Sequence, residues 1–157
     1  MARDTQATRA LTRAGAAFTV HVYAYDPDAG STGLHAAEAL GADPACVLKT
    51  LMAEVDGKPV CAVLPVDCTL SMKRLAAAAG GKAARMMVPA EAERLTGYKV
   101  GGISPLGQRR QVRTWIEAAA LASPLVYVNG GQRGLQIRIA PAALLAALGA
   151  AAATLVA

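Results

Sequence analysis

Two apolar runs, residues 47–55 and 60–65, flank the turn Asp56-Gly57-Lys58-Pro59. An Asp-Gly pair between such runs supplies the backbone angles of a tight hairpin, so the middle of the chain is committed to two adjacent antiparallel strands. Strands this apolar need cover on both faces, and the flanking sequence offers it. Phe18, Val20 and Val22 alternate with Thr19, His21 and Tyr23, and Val112, Thr114 and Ile116 alternate with Arg113, Trp115 and Glu117, the period-two pattern of half-buried strands. Residues 125–128 and 135–139 bracket Asn129-Gly130-Gly131-Gln132-Arg133-Gly134 as a second hairpin. Helices are predicted over residues 5–14, 34–40, 71–79, 89–95 and 141–148, with Ser71 as a cap, Pro89 in a first turn, and Gly15, Gly41 and Gly80-Gly81 as stops. The order of elements predicts an α+β fold in a single domain spanning residues 1–157: a mixed, curved, barrel-like sheet surrounded by short helices.

Composition narrows the setting. Of 157 residues, 54% are apolar, but 37 are alanine, so burial rests on the scattered Leu, Ile, Val and Met. Wholesale disorder is excluded. The formal charge of +5 is local: residues 99–138 hold six cations (Lys99, Arg109, Arg110, Arg113, Arg133 and Arg138) against Glu117, and the remainder balances. Such a segment suits a polyanion such as nucleic acid, or it is a solvated basic face. Three cysteines, Cys46, Cys61 and Cys68, form no paired spacing for a zinc site or a disulfide framework, which fits a reducing, cytoplasmic address. Arg3, Asp4, Arg9 and Arg13 stand where a leader would need an unbroken apolar stretch. The uncharged residues 141–157 are too short for a membrane helix and are expected to form a buried helix and an apolar tail, available to a second copy.

The sequence offers no hydrolytic triad. His21 lies on a strand and His35 opens a helix, neither beside a serine or cysteine in a nucleophile setting, and the segment Gly102-Ile103-Ser104-Pro105-Leu106 lacks the nucleophile elbow. Paired carboxylates are missing too. What stands out is Lys49, an ammonium inside an apolar strand, which is costly unless that face lines a wet pocket, meets an anion or lets the side chain snorkel. Two glycine loops, residues 101–105 and 129–134, either present bare N–H groups to a phosphate or oxyanion or are tight turns.

The strings LKTL (48–51), TGYKVGGISPLGQRR (96–110) and YVNGGQRGLQIRIAP (127–141), with HVYAYDP (21–27) and AAEALG (36–41) in order, closely resemble the YbaK family of Cys-tRNA(Pro) deacylases, relatives of the editing domain of prolyl-tRNA synthetases. The resemblance runs nearly end to end. It implies hydrolytic proofreading in trans of mischarged tRNA, with no metal, organic cofactor or membrane implied, and with prolyl-tRNA synthetase as a further partner. In the cysteine-selective branch the substrate's own thiol attacks its ester and leaves as a thiolactone, so the protein positions and does not supply the nucleophile. Lys49 matches the family's lysine, which orients the ester, with Gly101 and Pro105 of the G-x-x-x-P loop. Tyr23, Thr32, Thr50, Gly102, Ile103, Ser104, Asn129, Gly130, Gly131 and Gly134 match substrate-contacting positions. Lys99, Arg109, Arg110, Arg113 and Arg133 would carry the tRNA.

Two departures bear on specificity. Relatives read YVSGG where this chain has Asn129, and Thr32 stands where a relative has phenylalanine. These keep two alternatives open: editing of Ala or Ser with water as nucleophile, and a non-catalytic module binding tRNA or a synthetase.

Overall fold

The computed structural model describes residues 4–157; Arg3 lies outside them. Local chemistry sets most elements. Thr5 caps α1 (Gln6–Arg13) in a reciprocal box with Thr8, and Ser31 and Ser71 cap α2 (Thr32–Leu40) and α3 (Met72–Ala78) through their hydroxyls. Proline opens α4 (Pro89–Thr96) and α5 (Pro141–Leu148). Asp56, at φ 50°, turns β2 (Leu48–Val55) into β3 (Lys58–Pro65) in the predicted hairpin. The other strands are β1 (Phe18–Val22), β4 (Ala84–Met86), β5 (Arg113–Glu117), β6 (Val126–Asn129), β7 (Leu135–Ile139) and β8 (Ala151–Ala153).

The α+β class holds, but the described strands form two sheets and do not close into a barrel. One sheet has the order β1-β7-β6, all antiparallel; the other, β4-β2-β3-β5-β8, is mixed, with β5 and β8 parallel to their neighbours. A bridge between Val47 and Tyr127 joins them. Beyond it β6 leaves the edge of β2, and β4 does not take up that edge until Ala53, so part of that one edge is left open.

The larger core fills the space between the sheets: Leu48, Met52, Cys61, Val63 and Ile116 face Val126, Val128, Ile137 and Ile139, closed by Leu11, Leu106 and Leu144. A second core lies on the far side, where Ala53, Val55, Ala62, Leu64 and Trp115 meet Leu75 of α3 and Leu155. Successive β2 residues therefore serve opposite faces, as the pleat requires. Thr50 shares a face with Leu48 and Met52, and Lys49 shares the other with Leu51 and Ala53.

The C-terminal tail is not left for a second copy. Ala151–Ala153 pairs with Trp115–Glu117, and Leu155 is fully buried. Glu117, the one anion of the basic segment, is 3% exposed and accepts N–H bonds from Ala119, Leu155 and Val156. Burial raises its pKa, but those three donors outweigh it and hold the carboxyl below the usual glutamate range. No helix among the described residues is long and apolar enough to cross a membrane.

Candidate functional site

The free edge of β2 opens onto a cavity of about 320 Å³, lined by residues 47–52 on one side and by Met86, Met87, Pro89, Val100, Gly101, Ile103 and Asn129 on the other. That volume suits a small organic group. Register shows what the strand presents there. The Met87 N–H donates to the Met52 carbonyl and the Asp56 N–H to the Ala83 carbonyl, so even-numbered residues turn their main-chain groups to this edge. Thr50 therefore directs its N–H and C=O into the gap, and its buried hydroxyl has no hydrogen-bond partner.

Lys49 also lines the cavity, although its side chain leaves the strand on the opposite face. Its Nζ donates to the Cys68 carbonyl at 2.5 Å, which holds the ammonium in place. An ammonium has three donors, so that bond leaves two for a ligand. Thr32, the first residue of α2, lines the cavity beside Gly33.

Asn129 ties the two glycine loops together. Its Nδ2 donates to the Gly101 carbonyl at 3.2 Å, and its Oδ1 accepts the Gly131 N–H at 2.7 Å. A serine hydroxyl is too short to span both, so the amide that departs from the family string has a positioning role of its own. The N–H groups of Gly101 and Ile103 have no acceptor among the described residues.

The other predicted contacts stand outside the cavity. Gly102 donates its N–H to Lys99, Ser104 is fully buried with its hydroxyl on the Leu106 N–H, and the Pro105 carbonyl accepts from Gln111. Gly130 donates its N–H to the Leu135 carbonyl, and its own carbonyl accepts the Thr5 hydroxyl. Gly131 sits at φ +92°, where a Cβ would come within 2.8 Å of the Tyr98 ring, and Gly134 offers its carbonyl to the Tyr23 N–H. These residues shape and pin the loops. Tyr98 does the same through its hydroxyl, which donates to Leu106, and burial pushes its pKa to about 12.

Gln136 is the polar lining side chain that the sequence reading missed. It is 4% exposed, and its Oε1 has no hydrogen-bond partner. The same signal that exposed Lys49, a polar residue amid Leu135, Ile137 and Ile139, could have found it. Tyr23 is buried close to Gln136, and its hydroxyl is also unpartnered. Burial raises the Tyr23 pKa, and the nearby Gln136 carboxamide offsets part of the rise. Tyr23 packs edge-on to His35, and His21 edge-on to Tyr127.

The cysteines stand apart from this geometry. Burial lifts the Cys61 pKa to about 12, Cys68 is also raised, and Cys46 donates to Ser123. No group of three His, Cys, Asp or Glu that could hold a metal ion occurs among the described residues.

The basic segment is dispersed. Arg133 reaches back to the Val100 carbonyl and lies over Tyr25, next to Gly101. Lys99 is exposed at the start of the same loop. Arg109 lines a groove with Arg13, and Arg110 and Arg113 line another.

The arrangement is that of a binding cleft built at a gap in a two-sheet α+β fold, and the fold is shared with known proteins. A solved structure described as a candidate trans-editing enzyme for prolyl-tRNA synthetase superposes with a TM-score of 0.83 at 26% identity, covering 99% of both chains. A second solved structure, of a hypothetical protein, gives a TM-score of 0.86 at 23% identity over 98% of this chain and all of the other. The model of the aminoacyl-tRNA editing domain matches residues 28–147, and the chain belongs to that family. A curated protein of Enterococcus faecalis, EbsC, described as a candidate Cys-tRNA(Pro)/Cys-tRNA(Cys) deacylase, is 40% identical over 111 residues, 69% of this chain and 67% of its own.

Proposed function

We propose that this chain is a single-domain, cytosolic aminoacyl-tRNA deacylase that clears cysteine from tRNA(Pro) in trans, with the substrate's thiol as nucleophile. The observation that carries this reading is the cavity itself. It brings Lys49, Thr50, Gly101 and Asn129 together, and among its lining residues there is no carboxylate, imidazole or thiol. Such a site can position and polarise an ester.

The terminal adenosine enters along the free edge of β2, with its aminoacyl ester toward the Gly101 loop. Lys49, anchored by Cys68, meets the terminal phosphate or ribose with its remaining donors. The Thr50 hydroxyl and the Gln136 Oε1, unpartnered in the free protein, take the polar groups of the aminoacyl adenosine. The Gly101 and Ile103 N–H groups face the developing oxyanion. The thiol sulfur attacks the ester carbonyl carbon, a C–S bond forms, the C–O bond to the ribose breaks, and the thiol proton ends on the ribose oxygen. The products are free tRNA and a four-membered thiolactone. Holding the thiol near the carbonyl replaces a protein nucleophile, because effective concentration can lower such a barrier by several kcal/mol, about 7–11 at most.

The names of the relatives and the family resemblance support cysteine as the amino acid, with tRNA(Pro) one of the two tRNAs named and prolyl-tRNA synthetase the enzyme that one of them serves. Thr32 at the rim and the Asn129 amide shape the side-chain end of the pocket. The test compares Cys-tRNA(Pro) with the same tRNA carrying S-methylcysteine. The thiol ester should be cleaved and the thioether ester should persist. Equal decay of both would replace the thiol with water as nucleophile, and no turnover of either would leave a binding module.

A further inference from the structure

We infer that a second groove, at the far end of the β2–β3 hairpin from the cavity, binds the phosphate backbone of the tRNA. This rests on the tRNA-editing reading and adds where the body of the RNA lies. The groove, of about 540 Å³, is walled by the hairpin turn, by Ala79-Gly80-Gly81 after α3, and by residues 110–113. Its cations are Lys58, Arg110 and Arg113, all exposed and in no ion pair among the described residues. Its one carboxylate, Asp56, is occupied by the N–H groups of Lys82 and Ala83. Arg113 is held in place, stacked over Trp115 with its Nη1 on the Ala79 carbonyl. Lys58 and Arg110 make no such bond.

Another groove adds to these cations. Arg109, adjacent in sequence to Arg110, lines a neighbouring groove with Arg13, and no carboxylate lines it. The five cations of these two grooves share no lining position with the cavity. A fixed guanidinium, two free cations and a saturated carboxylate suit a chain of phosphodiesters, which are contacted without sequence preference. From Thr50 to Val55 the strand runs about 17 Å, so an RNA whose terminal ester occupies the cavity can reach the groove only with nucleotides further back, toward the acceptor stem. Lys58 lies outside the basic segment of the sequence, and the pairing of β3 with β5, Val60 opposite Arg113, brings it in.

The experiment measures binding of uncharged tRNA(Pro) by fluorescence anisotropy across a salt series, for the intact chain and for Lys58→Gln, Arg110→Gln and the double variant. Lys73→Gln, an exposed cation on α3 outside the groove, controls for net charge. Arg113 is left in place because its packing would confuse folding with binding. The double variant should bind roughly tenfold more weakly, with a salt slope flatter by somewhat under two, and Lys73→Gln should change little. Cleavage of 3′-cysteinyl adenosine, a single nucleoside that cannot span the distance to the groove, should stay at the unsubstituted rate in the double variant. Unchanged tRNA affinity and slope, or an equal loss with Lys73→Gln, would overturn the groove. Failure of the intact chain to cleave either ester would overturn the deacylase reading alone, since the binding series decides the groove by itself.

Discussion

Replacing Thr50 with valine separates what the cavity costs the fold from what it gives the substrate. The Thr50 hydroxyl is buried and has no partner in the free protein. An unpaired buried hydroxyl costs about 1–3 kcal/mol, and valine offers nearly the same shape without it. Taking the lower end of that range, Thr50→Val should stabilise the chain by about 1 kcal/mol, or raise Tm by about 2–4 °C at this length. If the hydroxyl instead finds its partner on the substrate, the same substitution removes one neutral hydrogen bond worth about 0.5–1.5 kcal/mol in the transition state. That corresponds to a fall in kcat/KM of roughly 2- to 13-fold. Thermal denaturation and deacylation of Cys-tRNA(Pro) on one preparation give both numbers. A higher Tm with unchanged kcat/KM would show that the hydroxyl does not meet the substrate. A lower Tm would show that it is satisfied within the fold, and the reasoning would fail at its first step.

Asn129→Ala cuts both bonds between the glycine loops; at about 1 kcal/mol each it should lower Tm by roughly 4–8 °C and reduce kcat/KM, whereas Asn129→Ser should recover only part of either. Glu117→Gln leaves three buried N–H donors with one acceptor oxygen and should cost about 2–4 kcal/mol in urea denaturation at neutral pH. The pH dependence has a definite sign. Because the Glu117 pKa is lowered by folding, its stabilisation is full above the unfolded glutamate value of about 4.3 and is lost as pH falls through the folded value. The stability gap between the two proteins should therefore be widest near neutrality and close in acid, and a gap that widens in acid would contradict the assignment.

The parts of the fold that were legible in the sequence are those set by local chemistry. The Asp56-Gly57 turn, the Ser71 cap and the prolines at 89 and 141 act within a few residues, and their elements lie where expected. β8 is three alanines and β4 three residues, so neither has an alternation to read; tertiary pairing alone makes them strands. The gap beside Thr50 was equally invisible, because it depends on where β6 departs and β4 arrives. Lys49 stood out as a charge in an apolar strand and does line the cavity, yet Gln136 carried the same kind of signal without being noticed. The glycines divide for a physical reason: one backbone freedom serves a ligand loop and a crowded turn alike. Gly101 lines the cavity, whereas Gly131 is needed where the Tyr98 ring approaches. Summed charge marked the basic segment but not its faces, and consecutive Arg109 and Arg110 line different grooves.

The account depends on the aminoacyl end of the substrate lying in the gap between β2 and the Gly101 loop. A crystal structure with a non-cleavable amide analogue of 3′-cysteinyl adenosine tests this most directly. The analogue should lie with its carbonyl oxygen within hydrogen-bond distance of the Gly101 or Ile103 N–H, its sugar or phosphate end near Lys49, and its sulfur beside the carbonyl carbon. An analogue bound elsewhere, or bound in the gap with the sulfur turned away from that carbon, would contradict it.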